Sequence, residues 1–197
     1  MDRIRELINE IREYGVNNDV PIMSVESIDT ISNIIKENNI KSIFEIGTAI
    51  AYSTICFASI DGIEKVTSIE RDKVRFSIAK SNVLKSKLNN IELICDDALN
   101  TVINGKYDLV IIDAAKSQNL KFFNKYKENL NENGIIIIDN LDFHGYVGKS
   151  SEIKSRNLRQ MVRKIEKFID FLDENQEFNV KYIEVGDRLG VCKRKNS

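Results

Sequence analysis

Two short runs of β-branched residues, each closing on a carboxylate, constrain this chain more than any other feature. The first is Tyr107-Asp108-Leu109-Val110-Ile111-Ile112-Asp113, followed by Ala114-Ala115-Lys116; the second is Gly134-Ile135-Ile136-Ile137-Ile138-Asp139-Asn140. Continuous apolar runs this short fit strands buried on both faces of a parallel sheet. Between them, Phe122, Phe123, Tyr126 and Leu130 recur at helical spacing across 121–130, so the unit reads strand, helix, strand. A right-handed crossover brings the C-terminal ends of both strands to one sheet edge, the edge on which open α/β sheets bind ligands. Asp113, Asp139 and Asn140 are therefore predicted to converge. Three oxygen donors with no thiolate or imidazole suit a hard divalent cation, Mg²⁺ before Zn²⁺. The competing reading is that Asp139-Asn140 only caps the next turn. Acids at two strand ends, with Lys116 close by, favour the metal.

The remaining pattern completes a sheet. Residues 2–14 read as an amphipathic helix with Ile4, Leu7, Ile8 and Ile11 on one face. After a turn over 16–23, Ser24 reads as the N-cap of a helix carrying Val25, Ile28, Ile31, Ile34 and Ile35 inward. Strands are expected at 41–46, 65–70 and 91–95, with a helix over 71–88 that turns Val74, Ile78 and Leu84 inward. A long helix over 151–174 precedes strands at 178–185 and 189–194, joined through Gly186-Asp187-Arg188, which is hairpin chemistry. The sum is an α/β, Rossmann-like, seven-stranded and mostly parallel sheet with an antiparallel terminal strand and helices on both faces. It forms a single domain over 1–197, with N-terminal helices at 1–38 and the sheet core at 39–197. With 197 residues, 42% of them hydrophobic, the chain can bury one real core. A net charge of −1 advertises no global attraction to nucleic acid or membrane. No run is apolar enough to span a bilayer, and the N-terminus is too charged for a signal peptide. Cys56, Cys95 and Cys192 lack metal spacing and read as reduced core thiols of a cytoplasmic protein.

The turn after the first strand, Glu45-Ile46-Gly47-Thr48-Ala49-Ile50-Ala51-Tyr52-Ser53, joins a strand to a helix through one glycine. That architecture lets backbone N–H groups approach a nucleotide-like ligand. A GxGxxG fingerprint is absent, which disfavours a nicotinamide dehydrogenase, and Glu45 would repel a pyrophosphate. An acid there suits a cationic amino group instead, which points to S-adenosylmethionine. Glu70, at the next strand end, can accept from ribose hydroxyls. Asp97 and Ala98 can meet an adenine, although Asp97 also reads as a helix N-cap. His144, in a loop of aromatics and glycines after Asn140, reads as a surface residue. Arg156, Arg159, Arg163 and Lys167 form a basic stripe at helical spacing. Such a stripe is usually a solvated face, and it is also a candidate phosphate footprint.

These motifs, EIGTAIAYS (45–53), SIE (68–70), DDA (96–98), DLVIIDAAK (108–116) and DN (139–140), resemble those of cation-dependent, catechol O-methyltransferase-like class I methyltransferases over nearly the whole chain. VPIM (20–23), IDAAK (112–116), RNLRQMVRK (156–164) and VGDRLGV (185–191) resemble one branch more closely, the bacterial tRNA 5-hydroxyuridine methyltransferases. The resemblance implies that Asp113, Asp139 and Asn140 are the metal ligands, with Met23, Ser53, Glu70, Asp97, Ala98 and Asp113 lining the S-adenosylmethionine site. It implies Lys116 as the general base, Mg²⁺ as the cation and a homodimer as the assembly. The expected activity is O-methylation of 5-hydroxyuridine in the tRNA anticodon to 5-methoxyuridine. The alternatives are O-methylation of a small catechol-like phenol, or a non-catalytic nucleoside-binding module. Two residues depart from the pattern: Ala51 stands where the family has glycine, and Arg188 where a glycine or another small residue is expected.

Overall fold

The computed structural model describes residues 2–195, which divide into two compact units, 2–103 and 104–195. The first unit opens with α1 (Asp2–Asn17) and α2 (Val25–Glu37). Helix α1 runs three residues beyond the expected end and buries Leu7 and Ile11. Ser24 caps α2 as predicted, its Oγ accepting the Ser27 N–H at 3.1 Å. Ile28, Ile31 and Ile35 face inward, whereas Val25 is 37% exposed, because the first turn falls outside the stripe that the isoleucines define.

Three parallel strands follow: β1 (Ser42–Ile46), β2 (Lys65–Glu70) and β3 (Ile91–Cys95), in the order β3-β2-β1. Registers Ile46↔Ile69 and Glu70↔Cys95 bring their C-terminal ends level, so the turns that follow share an edge. β1 and β2 are almost wholly buried, as their apolar runs require. β3 is an edge strand with half-exposed side chains, and Cys95 at its end is exposed. The expectation of three core cysteines therefore holds only for Cys56 and Cys192.

Helices α3 (Tyr52–Ala58) and α4 (Lys73–Ser86) complete this unit. On α4 the sequence reading fails: Val74 is 73% exposed and Leu84 80%. The inward face is instead set by Ala79 and Asn82, three residues apart on the same side. Asn82 Nδ2 donates to the carbonyl of Ile50 at 2.9 Å, and this hydrogen bond fixes which face of the helix meets the core.

The second unit contains β4 (Tyr107–Ile112), a 3-10 turn (Lys116–Gln118), α5 (Asn119–Tyr126), β5 (Leu130–Ile138), α6 (Arg156–Asp173), β6 (Phe178–Ile183) and β7 (Leu189–Arg194). Its strands lie in the order β4-β5-β7-β6. β4 and β5 are parallel, and β7 runs antiparallel to both β5 and β6, as the terminal hairpin predicts. Helix α6 starts at Arg156 rather than 151, because Ser155 caps it and a separate 3-10 turn occupies Ser150–Glu152. Phe123 of α5 meets Phe168 and Phe171 of α6 and Phe178 of β6 edge-on, with ring centroids 5.2–6.1 Å apart. Together the strands make a seven-stranded mixed sheet, the predicted class. Among the described residues no helix is long and apolar enough to cross a membrane.

Candidate active site

In the first unit the predicted cofactor residues lie on a turn whose polar groups are bonded to one another. Glu45 is fully buried. Its carboxylate accepts from the hydroxyls of Ser53 (2.5 Å), Ser68 (2.6 Å) and Thr54. Thr48 joins the network through a 2.6 Å contact between its Oγ1 and Ser68 Oγ. Glu45 and Ser53, both predicted to meet a ligand, thus bind each other and tie β1, β2 and α3 together. The backbone N–H groups of Gly47 and Thr48 donate to Ile69 O at 3.0 and 3.2 Å. Gly47 (φ 108), Ala49 (φ 47) and Ala51 (φ 66) all adopt positive φ. Alanine reaches that region at a cost of about 1 kcal/mol, which accounts for a glycine being expected at position 51.

Glu70 joins two turns. Its Oε2 accepts the N–H of Ala49 at 2.9 Å and its Oε1 that of Asp72 at 2.8 Å. A carboxylate offers about four acceptor sites, so each oxygen keeps capacity for a ribose hydroxyl. Asp97 is a turn-former: its Oδ1 accepts from the Leu99 N–H at 2.8 Å and its carbonyl from Asn100 and Thr101. Ala98 and Met23 are buried. Thr54, Ser68 and Asn82 support this turn; Thr54 and Asn82 lie outside every sequence motif, and the SIE motif was read only for its acid, Glu70.

The second unit holds the predicted acids. The register Ile112↔Ile138 puts Asp113 and Asp139 one residue beyond paired positions, and the Asp139 N–H donates to Ile112 O at 3.1 Å. Lys116 reaches back from its 3-10 turn, placing Nζ 2.6 Å from Asp113 Oδ1 and 3.4 Å from the Asp139 carbonyl. Asp139, 6% exposed, has its carboxyl pushed up to about 7. Burial is the first cause and the Asp113 charge the second, while Lys116 and the Asn140 N–H pull the other way.

Asn140 sits at φ 70, and its Oδ1 is buried without a hydrogen-bond partner. An orphaned acceptor beside two mutually repelling acids is a donor set that a hard cation would satisfy. Among the described residues no three His, Cys, Asp or Glu side chains cluster to hold a metal, so the set is two carboxylates and one amide. Asn119, the first residue of α5, is also buried with neither side-chain polar atom paired.

The terminal hairpin braces this loop. Leu141 and Asp142 donate their N–H groups to the carbonyls of Arg188 (3.0 Å) and Asp187 (2.8 Å). At Gly190 a Cβ would stand 2.7 Å from Leu141 Cδ1, so any larger residue would have to displace the Leu141 side chain. His144 is exposed and pairs through Nδ1 with Asp187 at 2.7 Å, as a surface residue should. Helix α6 packs against the Lys116 turn. Of its basic stripe, Arg156, Arg163 and Lys167 are exposed. Arg159 is half-buried, with Nη2 on the Lys154 carbonyl at 3.3 Å and a buried Nε without a partner.

A family model described as O-methyltransferase matches residues 2–195. A caffeoyl-CoA O-methyltransferase of Populus kitakamiensis is 26% identical over 204 residues, covering 96% of this chain and 86% of that protein. A flavonoid 3′,5′-methyltransferase of Vitis vinifera is 25% identical over 202 residues, covering 97% and 85%. Among solved structures, a Staphylococcus aureus protein provisionally described as a caffeoyl-CoA O-methyltransferase is 37% identical with a TM-score of 0.90, over 95% of this chain and 92% of that one. An O-methyltransferase of Bacillus cereus, solved with SAH, shares the fold at 21% identity and a TM-score of 0.82, over 96% and 91%.

Proposed function

The chain belongs to the S-adenosylmethionine-dependent O-methyltransferase family, and from that membership we propose that it methylates a ring hydroxyl standing beside a second oxygen, with Mg²⁺ as the cation and 5-hydroxyuridine of a tRNA anticodon as the substrate. The observation that carries the cation is the buried, unpartnered Oδ1 of Asn140 next to Asp139. Asp113, Asp139 and Asn140 would hold it. When bound, a divalent cation supplies positive charge and coordination positions for two neighbouring oxygens, and S-adenosylmethionine supplies the methyl group.

The remaining work belongs to the chain's own residues. Lys116, with its side chain 12% exposed and anchored on Asp113, stands where it can take the hydroxyl proton at Nζ. Glu70 offers its spare lone pairs to two ribose hydroxyls, and buried Met23 and Ala98 supply apolar contact for the base. Glu45 acts indirectly, by holding Ser53, Thr54 and Ser68 so that the 47–51 turn keeps its shape. Replacing Lys116 by Met should lower kcat about 100-fold while leaving the affinity for S-adenosylmethionine unchanged. Unchanged turnover would remove the lysine from the chemistry.

RNA is preferred as substrate because α6, which packs on the Lys116 turn, exposes Arg156, Arg163 and Lys167. A polyanion has a use for such a stripe and a small phenol does not. The second reading, a catechol-like phenol, is favoured by the names that the Populus and Vitis relatives carry. The test offers purified protein and S-adenosylmethionine either undermodified tRNA or catechol, each with Mg²⁺ or EDTA. Mg²⁺-dependent 5-methoxyuridine is the expected product. Transfer to catechol alone would establish the phenol reading, and transfer undiminished in EDTA would dismiss the cation.

A further inference from the structure

We propose that α4 is a second RNA-binding surface, contacting the phosphate backbone of the substrate through Lys73, Lys80 and Lys87; this rests on the RNA reading above. From Lys73 to Asn90 the chain carries five Lys or Arg residues and no Asp or Glu, although acids make up 30 of its 197 residues. The α6 stripe, by contrast, shares its helix with Glu166, Asp170 and Asp173. Lys73, Ser77, Lys80 and Leu84 recur at spacings of four, three and four, which places them on one ridge, and Lys87, the left-handed C-cap just past the helix end, follows three residues on. All five are exposed, and Leu84 is 80% so. Seven residues of helix rise about 10 Å, so the three lysines mark out a line of charge rather than a point. Ser77 lies on it as a hydroxyl donor, a residue type that commonly contacts phosphate.

Helix stability does not account for this arrangement. Lys73 and Arg75 occupy the first turn, where the helix dipole disfavours cations, and no acid stands in that turn to offset them. Only the N-cap Asp72, whose Oδ1 accepts the N–H groups of Val74 and Arg75 at 2.9 Å, works the other way. Among the described residues none of Lys73, Lys80, Lys85 and Lys87 makes an ion pair, whereas Lys41, Lys65 and Lys127 each pair with a glutamate. Surface helices ordinarily intersperse both signs. A line of unpaired cations complements a polyanion, and two exposed apolar side chains, Val74 and Leu84, are too few to anchor a bilayer.

The test compares wild-type protein with a K73Q/K80Q/K87Q variant for binding undermodified tRNA between about 50 and 200 mM salt. Retained thermal stability and retained affinity for S-adenosylmethionine establish that the variant is folded. The expected result is at least a ten-fold loss of tRNA affinity at about 100 mM salt. The slope of log affinity against log salt should flatten by about 2, as for three single-strand phosphate contacts. Wild-type binding that the variant reproduces in affinity and slope overturns the α4 surface and leaves the RNA reading intact. Absence of salt-dependent tRNA binding by the wild type overturns both. A variant that loses only its binding to phosphatidylglycerol vesicles assigns the ridge to membranes and also overturns the proposal.

Discussion

Each unit of this molecule buries an acid at a strand end, and the two are treated in opposite ways. Glu45 is fully buried and receives three hydroxyl hydrogen bonds, from Ser53, Thr54 and Ser68. Asp139 is nearly as buried, yet it faces another carboxylate, and the amide oxygen of its neighbour Asn140 has no hydrogen-bond partner among the described residues. A fully satisfied polar network rigidifies its surroundings; a partly satisfied one costs stability until something completes it. Glu45 therefore reads as framework, and Asp139 as a place where the fold tolerates local frustration that a ligand relieves. Sequence position alone would have paired the two acids as equivalents.

The sharpest way to separate them is Asp139→Asn. It should lower turnover by about 1,000-fold, the scale of losing a key electrostatic contact in a transition state, without lowering the stability of the cation-free protein. The pH response should differ as well. The native pKa of Asp139 is raised, to about 7, so between about 4 and 7 the folded state keeps a proton that the unfolded chain has lost. This residue's contribution is thus fully present below the unfolded pKa and is lost as pH rises through the folded one. The loss is at most about 4 kcal/mol for three pH units. Urea midpoints in EDTA at pH 5 and pH 8 should fall with pH in the wild type and much less in Asp139→Asn. Parallel curves would refute the idea that this acid is frustrated.

The converse substitution, Glu45→Ala, should cost stability first. It removes three charge-assisted hydrogen bonds from a buried site and leaves hydroxyls unpaired, a loss of about 3 kcal/mol. Denaturant midpoints would fall even in the presence of excess cation. If Glu45→Ala left stability intact and abolished only S-adenosylmethionine binding, the acid would be a ligand contact after all, as its place in the sequence suggests.

Why one acid was legible and the other was not follows from the range of the interactions. The Asp113, Asp139 and Asn140 convergence depends on two buried parallel strands with level ends, and runs of isoleucine announce such strands locally. The partners of Glu45 lie 8, 9 and 23 residues away, and serine and threonine carry no pattern that says where their hydroxyls point. Helix α4 was misread for the same reason. Its apolar residues 74, 76, 78, 83 and 84 define no single face, and a hydrogen bond from Asn82 to Ile50, 32 residues earlier, decides its orientation. The ends of β2, β3 and β7 fall where the sequence puts them, because charged or glycine-bearing turns bound each run.

The smallest effects concern the two positions where the chain departs from glycine, one in each unit. Ala51 (φ 66) and Arg188 (φ 65) both occupy the left-handed region, where a side chain costs about 1–2 kcal/mol. Glycine would relieve that strain but give back about 0.5–1 kcal/mol in unfolded-chain entropy. The remaining difference is burial. Ala51 is fully buried, so deleting its methyl forfeits about 0.8 kcal/mol more and leaves Ala51→Gly close to neutral. Arg188 is about one-third exposed and pairs with a Glu184 that is 71% exposed, at 2.8 Å, an ion pair of little worth. Arg188→Gly should therefore stabilise the protein by about 0.5 kcal/mol, read as a raised urea midpoint at unchanged slope. Its backbone carbonyl would continue to hold the Leu141 N–H, so turnover should not change. A fall in both stability and turnover would mean that the arginine side chain itself holds the loop carrying Asp139 and Asn140. The strain at position 188 would then belong to the site rather than to the hairpin.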